Sequence, residues 1–241
     1  MTDYAEEFGA AADQVAYLRE HSGLPGPRGN LELMQTAVDV GDETRFRRWI
    51  ALGSGTEPTD EFLAACGVVG LGRLVAEGRA DVMPELRVHA SDGRWRVREG
   101  AAMALQRVGD ADPGTLLEIA REWAEGGAYV RRAAIAAIAE PRLIRDPEVG
   151  RIAVDVVDRV TTLLTEMDER RSDEFRVLRQ ALGYCWSVVT AASPAHGKAL
   201  MELWAGSTDR DVRWILRENL KKTRLARLDP EWVASLRDRL L

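Results

Sequence analysis

Four stretches of the chain repeat one arrangement of apolar and polar positions. They read VREGAAMAL from Val97, VRRAAIAAI from Val130, LRQALGYCW from Leu178 and VRWILRENL from Val212. Aligned on Arg98, Arg131, Arg179 and Arg213, they are 33, 48 and 34 residues apart. Three columns are apolar in every copy. The first holds Val97, Val130, Leu178 and Val212. Four residues on come Ala101, Ala134, Leu182 and Leu216, and four further come Leu105, Ile138, Trp186 and Leu220. Positions i, i+4 and i+8 form one stripe of an α-helix. Between the columns Glu99, Arg132, Gln180 and Trp214 share no character, which predicts a less constrained face.

Each of these helices has a predicted partner before it. Met83-Pro84, Asp112-Pro113, Asp146-Pro147, Ser193-Pro194 and Asp229-Pro230 each open an apolar-periodic run. An Asp or Ser side chain can accept from the free N–H groups of a first turn. Proline fits there because its missing N–H would be unbonded anyway. Met83 has no capping oxygen, so the first of these starts is the weakest. Between partners lie related turns, HASDGRWRVR, WAEGGAYVR and WAGSTDRDVR, whose Gly and Asp residues stop one helix and start the next. The final LDPEWVASLRDRLL places Trp232, Leu236 and Leu240 on one face of a closing helix.

The unit is helix, short turn, helix. One hairpin cannot cover its own apolar stripe, so such units are expected to stack. SDGRWRVREGAAMALQRVGDAD, with its Asp, Val-Arg, paired alanines, Leu and Gly-Asp, resembles a HEAT-type repeat. It is most similar to the short HEAT-like repeats of the phycobilin-lyase-related group. The likeness is good over 86–110, moderate over 120–140 and 200–225, and loose over 172–192. It implies an all-α, right-handed α-solenoid of stacked antiparallel helix pairs with about 11–13 helices. The whole of 1–241 is expected to be one domain: irregular helices over 1–80, four HEAT-like pairs over 81–225 and a capping helix over 226–241. The resemblance also implies a ladder, in which an acid in the turn and an arginine six residues later link stacked repeats. The matching pairs are Asp92 with Arg98, Glu125 with Arg131 and Asp173 with Arg179; before Arg213 the slot is Ser207, with Asp209 and Asp211 nearby. Asp42 before Arg48 is a candidate earlier copy. These arginines are therefore expected to be structural.

The first third is helical but less regular. A helix near 3–21 is expected before the Gly/Pro loop HSGLPGPRGN, which Asn30 closes as a cap. Leu31, Met34, Ala37 and Val38 then form a short stripe. Gly67, Gly70 and Gly72 lie among helix formers in DEFLAACGVVGLGRLVAEG. A phosphate loop needs a preceding strand and another order of glycines. Here the glycines are expected to let two helices approach, at about 1 kcal/mol each in helix propensity.

Composition narrows the functional classes. With 241 residues and 46% hydrophobic content the chain can bury a sizeable core. Its net charge is −6, which disfavours tight duplex binding. The charge is uneven: residues 1–85 carry net −8 and residues 86–241 net +2. Cys66 and Cys185 stand far apart among apolar neighbours, which fits a reducing compartment and buried packing. The acidic start MTDYAEEFGA has no apolar core of a secretory signal, and the longest uncharged run is too polar to span a bilayer. A cytoplasmic location without membrane association is expected.

Catalytic signatures are sparse. His21, His89 and His196 are scattered and lack a second ligand at i+3 or i+4, so no metal site is expected. There is no Gly-x-Ser-x-Gly or Walker-type loop, and neither cysteine has an adjacent histidine. No catalytic residue and no cofactor are assigned. One constellation exceeds packing: Arg210, Arg213, Arg217, Lys221 and Arg224, spaced 3, 4, 4 and 3, share a face of one expected helix, with Lys222 beside it and Trp214 placed for stacking. Such a strip can meet a phosphate backbone or an acidic partner, or it can serve only the ladder, the helix dipole and local ion pairs. The leading expectation is a non-catalytic protein–protein interaction scaffold or adaptor with an unidentified protein partner. The alternative is a nucleic-acid-binding protein related to HEAT-like glycosylases specific for alkylated bases, whose Trp-Trp-Asp-type motif this chain lacks. A pigment lyase or chaperone of the phycobilin group ranks third, supported by the repeat pattern alone.

Overall fold

A computed structural model describes residues 4–240. Residue 3 of the expected first helix and residue 241 of the expected closing helix lie outside them. Every regular element among the described residues is helical. The α-helices are α1 (Tyr4–Ala10), α2 (Gln14–Glu20), α3 (Leu31–Val40), α4 (Glu43–Leu52), α5 (Pro58–Ala76), α6 (Met83–His89), α7 (Trp95–Ala111) and α8 (Pro113–Ala124). Then follow α9 (Ala128–Ile138), α10 (Pro147–Thr165), α11 (Asp173–Ala192), α12 (Pro194–Trp204), α13 (Arg210–Leu220), α14 (Thr223–Leu228) and α15 (Pro230–Asp238). A 3₁₀ turn, Ala80–Val82, precedes α6.

Among the described residues the fifteen α-helices exceed the expected 11–13, and two local breaks explain part of the excess. The helix expected near 3–21 is two, because the Asp13 carboxylate accepts from the N–H groups of Val15 and Ala16 and starts α2 afresh. The helix expected to run from Arg210 through Arg224 ends at Leu220, and α14 begins at Thr223. Three Asp-Pro starts form as expected, with Asp112, Asp146 and Asp229 each accepting from first-turn N–H groups. Ser193 makes no such side-chain bond, and Met83 lies inside α6, not before it.

The chain divides into two compact units, Met1–Ala111 and Asp112–Leu241. In the first, α5 is the central helix and packs against α2, α3, α4, α6 and α7. Its residues from Phe62 to Gly72 are all buried, so it has no polar face to offer water. Gly70 and Gly72 make this possible. A Cβ on Gly70 would strike the Phe46 ring, and one on Gly72 would fall within 2.6 Å of three backbone atoms of Ala104 in α7. The expected packing role of these glycines is what the fold uses them for.

In the second unit α8 pairs with α9 and α10 with α11, and α12 contacts α13. The leading helices α8, α10 and α12 also contact one another in succession, as do the following helices α9, α11 and α13. Those following helices carry three of the four aligned segments, so the copies from Val130, Leu178 and Val212 are neighbours in order. All twelve positions of the three apolar columns, including the copy on α7, are buried. Glu99, Arg132, Gln180 and Trp214, from the variable columns, are half-buried or exposed.

Polar links fix the register between these helices. The indole N–H of Trp186 donates to the Thr161 hydroxyl at 3.0 Å. Asn219, fully buried on α13, accepts from the Ser187 N–H and donates to the Leu182 and Ile215 carbonyls, each at 2.8 Å. Its amide thus engages two backbone groups of α11. The closing α15 buries Val233 and Leu236, with Leu240 just beyond it. Trp232, expected on that buried face, is half-buried instead, and its indole N–H donates to Glu202 at 2.7 Å.

Candidate binding surfaces

The arginines of the repeated phrase are engaged in structure, though seldom with the acid six residues before them. Arg98 is buried and donates to the carbonyls of Asp92 and Gly93 at 2.6 and 3.0 Å, tying α7 to the turn before it. The Asp92 carboxylate takes both Nε and Nη2 of Arg94 at 2.9 Å. Arg131 repeats the carbonyl bond, donating to Ala124 at 3.1 Å, while Glu125 is held in a two-bond pair by Arg159. Burial pushes the Arg131 pKa down and the Arg159 pair holds that of Glu125 below the usual carboxylate range. Asp173 accepts from the Tyr129 hydroxyl and pairs with Arg176. Asp42 caps α4 and pairs with Arg45, and Arg48 is exposed.

A link between the neighbouring helices α11 and α13 exists at Arg179. Its guanidinium donates to Asp211 at 2.7 Å and lies 4.0 Å over the Trp214 ring. Arg170 reaches the same turn, with Asp209 at 2.7 Å and Asp211 at 3.1 Å. Asp211 is 3% exposed, so two guanidinium groups clamp one buried carboxylate. Asp209 is held below the usual carboxylate range: burial pushes it up, and the Val212 N–H and Arg170 outweigh that. Trp214, expected to await a stacking ligand, already carries Arg179.

The expected cationic strip is divided. Arg210, Arg213 and Arg217 lie on α13, Lys221 and Lys222 form the turn after it, and Arg224 lies on α14. Arg217 donates to the Leu240 carbonyl at 3.2 Å, and Arg210 stands 3.7 Å from Asp211. The break re-aims the remaining cations. Lys221, Lys222 and Arg224 join Arg227, also on α14, and Arg145, from the α9–α10 connection, around a cleft of about 820 Å³. Leu143 and Ile144 are buried and anchor that connection, leaving Arg145 exposed beside them. Ile144, Val188, Ala191 and Ala192 supply an apolar floor, and no carboxylate is among the lining residues. Arg224 donates to the Tyr184 hydroxyl at 2.8 Å, and both it and Lys222 lie over the Tyr184 ring. Lys221 is exposed and bonded to Glu218 at 2.5 Å. Arg145 and Arg227 were missed by periodicity because neither falls on the aligned helices.

The first unit has a pocket of another kind, of about 250 Å³. Met34, Phe62, Ala65 and Met103 line it. Leu31 and Trp95 stand at its rim, 54% and 50% exposed. Arg96 lines the same pocket, lies 4.5 Å over the Trp95 ring and is paired with Glu61 at 3.1 Å. Leu31 and Trp95 thus place two exposed apolar side chains beside one apolar hollow.

Both thiols are buried, and burial pushes the Cys66 pKa far up, which leaves it a poor nucleophile. Among the described residues no group of three or more His, Cys, Asp or Glu is placed to hold a metal ion. None of their helices is long and apolar enough to cross a membrane. Comparison with family models, with curated proteins and with solved structures gave no match for this chain.

Proposed function

We propose that this chain is a non-catalytic interaction module, a cytoplasmic scaffold or adaptor built as a right-handed α-solenoid of HEAT-like helix pairs, whose partner is a protein. The apolar pocket rimmed by Leu31 and Trp95 carries this reading. At about 250 Å³ it is below the roughly 300–1,000 Å³ of small-molecule sites and suits one apolar side chain of a partner. Aromatic anchors in such hollows dominate interface energies, and Met34 and Met103 give the walls shapes that adjust to the anchor. The ordered contacts of α8, α10 and α12, and of α9, α11 and α13, support the solenoid reading.

Selection of a random peptide library on the immobilised protein tests the proposal. Enriched peptides are expected to share one aromatic or branched aliphatic anchor. Trp95→Ala, at an exposed position, is expected to cut their retention about tenfold or more, the scale of one interface anchor. Peptides without a shared apolar anchor, or retention unchanged in the variant, would overturn it.

A further inference from the structure

We infer that the basic cleft of the second unit is a binding site for a small polyphosphorylated molecule with an apolar or aromatic body, such as a nucleoside triphosphate. This inference is independent of the protein-binding reading, which rests on residues of the first unit. Five cations converge on the cleft: Arg145, Lys221, Lys222, Arg224 and Arg227. One nearby acid, Glu218, pairs with Lys221 itself at 2.5 Å, and the others bond outside the cleft. Asp146 accepts from the N–H groups of Glu148 and Val149, and Glu148 is paired with Arg151. Arg145, Lys222, Arg224 and Arg227 therefore form a charge surplus with no carboxylate in the lining to cancel it, and like charges gathered around a hollow raise the local concentration of anions.

The class of anion follows from the shape and the donors. Three guanidinium forks match phosphate oxygens in pairs of bonds, and two ammonium groups add point charge. A single carboxylate would leave most of this charge unmet, whereas a di- or triphosphate meets it. The volume of about 820 Å³ lies within the range of small-molecule sites. The floor of Ile144, Val188, Ala191 and Ala192 has no use for a bare inorganic anion, and it offers an apolar surface for the rest of the ligand. A nucleic-acid track fits less well. Arg210, Arg213 and Arg217 are not in the lining, so the charge is gathered in one hollow and does not continue along α13.

Calorimetric titration of the full chain without Mg²⁺ tests the inference, with ATP, tripolyphosphate and adenosine as probes. ATP is expected to bind more tightly than tripolyphosphate, adenosine to give no heat, and ATP affinity to fall as salt is raised. Arg145→Glu and Arg227→Glu, both at exposed positions, are each expected to weaken ATP at least tenfold. Arg48→Glu, an exposed site on α4, is expected to leave it unchanged. Three results would overturn the inference: no ATP binding at millimolar concentration, ATP binding by both Glu variants as tight as by the parent, or a single-stranded oligonucleotide binding more tightly than ATP and more so with length. The last would assign the cleft to nucleic acid.

Discussion

Asp211→Ala is expected to lower the unfolding free energy by about 3 kcal/mol, read as a drop in the urea midpoint with an unchanged slope. The carboxylate is 3% exposed and takes Arg179 at 2.7 Å and Arg170 at 3.1 Å. Removing it takes a carboxylate partner from both guanidinium groups in a place where water is largely excluded. Breaking a fully buried pair typically costs about 3–5 kcal/mol. The arginines keep 26% and 29% of their side-chain surface in water, which sets the expectation at the lower end. Arg179 stays stacked on Trp214 and Arg170 keeps Asp209, so part of the clamp survives. Adding Arg179→Leu to Asp211→Ala is expected to cost less than the sum of the two single changes, because the stranded charge leaves with it. A loss below about 1 kcal/mol for Asp211→Ala, or strict additivity, would show that the carboxylate is dispensable to the link between α11 and α13. Asp209 adds a pH signature. Its folded pKa is depressed, so its contribution is complete above the ordinary carboxylate range and is lost as pH falls through the folded value.

The apolar columns could be read from the chain because they are local: i, i+4 and i+8 on one helix face mean the same thing in every copy, and all twelve positions are buried. The Asp-Pro starts were legible for the same reason. The link at Asp211 was not. A pairing six residues apart was the natural guess for Arg179, yet its partner lies 32 residues on, and nothing in a one-dimensional pattern distinguishes a carboxylate that caps its own turn from one that faces a neighbouring helix. The cationic strip failed through a turn that has neither Gly nor Pro. The spacing of cations continues past Leu220, but the chain turns at Lys221 and Lys222 and then buries Leu225. The cleft it creates draws on residues 141–145, 188–192 and 221–227, segments brought together only by packing. Asn219 was hidden in the same way, a polar residue in a charged stretch that the fold places fully inside. Asp13 differs, since an acid before a helix-forming run is a usable start signal, and weighing it would have divided the first helix correctly.

The glycines of α5 give the second large expectation. Gly72→Ala adds one methyl group and is expected to cost about 3 kcal/mol or more, at the upper end of what overpacking does. The reason is the identity of the neighbour. The new Cβ would meet the Cα, carbonyl carbon and carbonyl oxygen of Ala104, all within 2.6 Å. A flexible side chain could swing away from it, but helix backbone cannot, so α5 and α7 must separate or rotate along their length. Those helices bury Leu71 and Leu74 on one side and Ala101, Ala104, Leu105 and Val108 on the other, and a shift loosens that contact as a whole. Propensity acts in the opposite direction, because alanine favours a helix over glycine by about 1 kcal/mol. The measured loss is therefore the packing cost less that gain. Gly93→Ala is the control: a Cβ there has nothing within 4 Å, and its midpoint is expected to stay within about 0.5 kcal/mol of the parent. If Gly72→Ala unfolds at the parent's midpoint, the close approach of α5 and α7 is not what holds the first unit together.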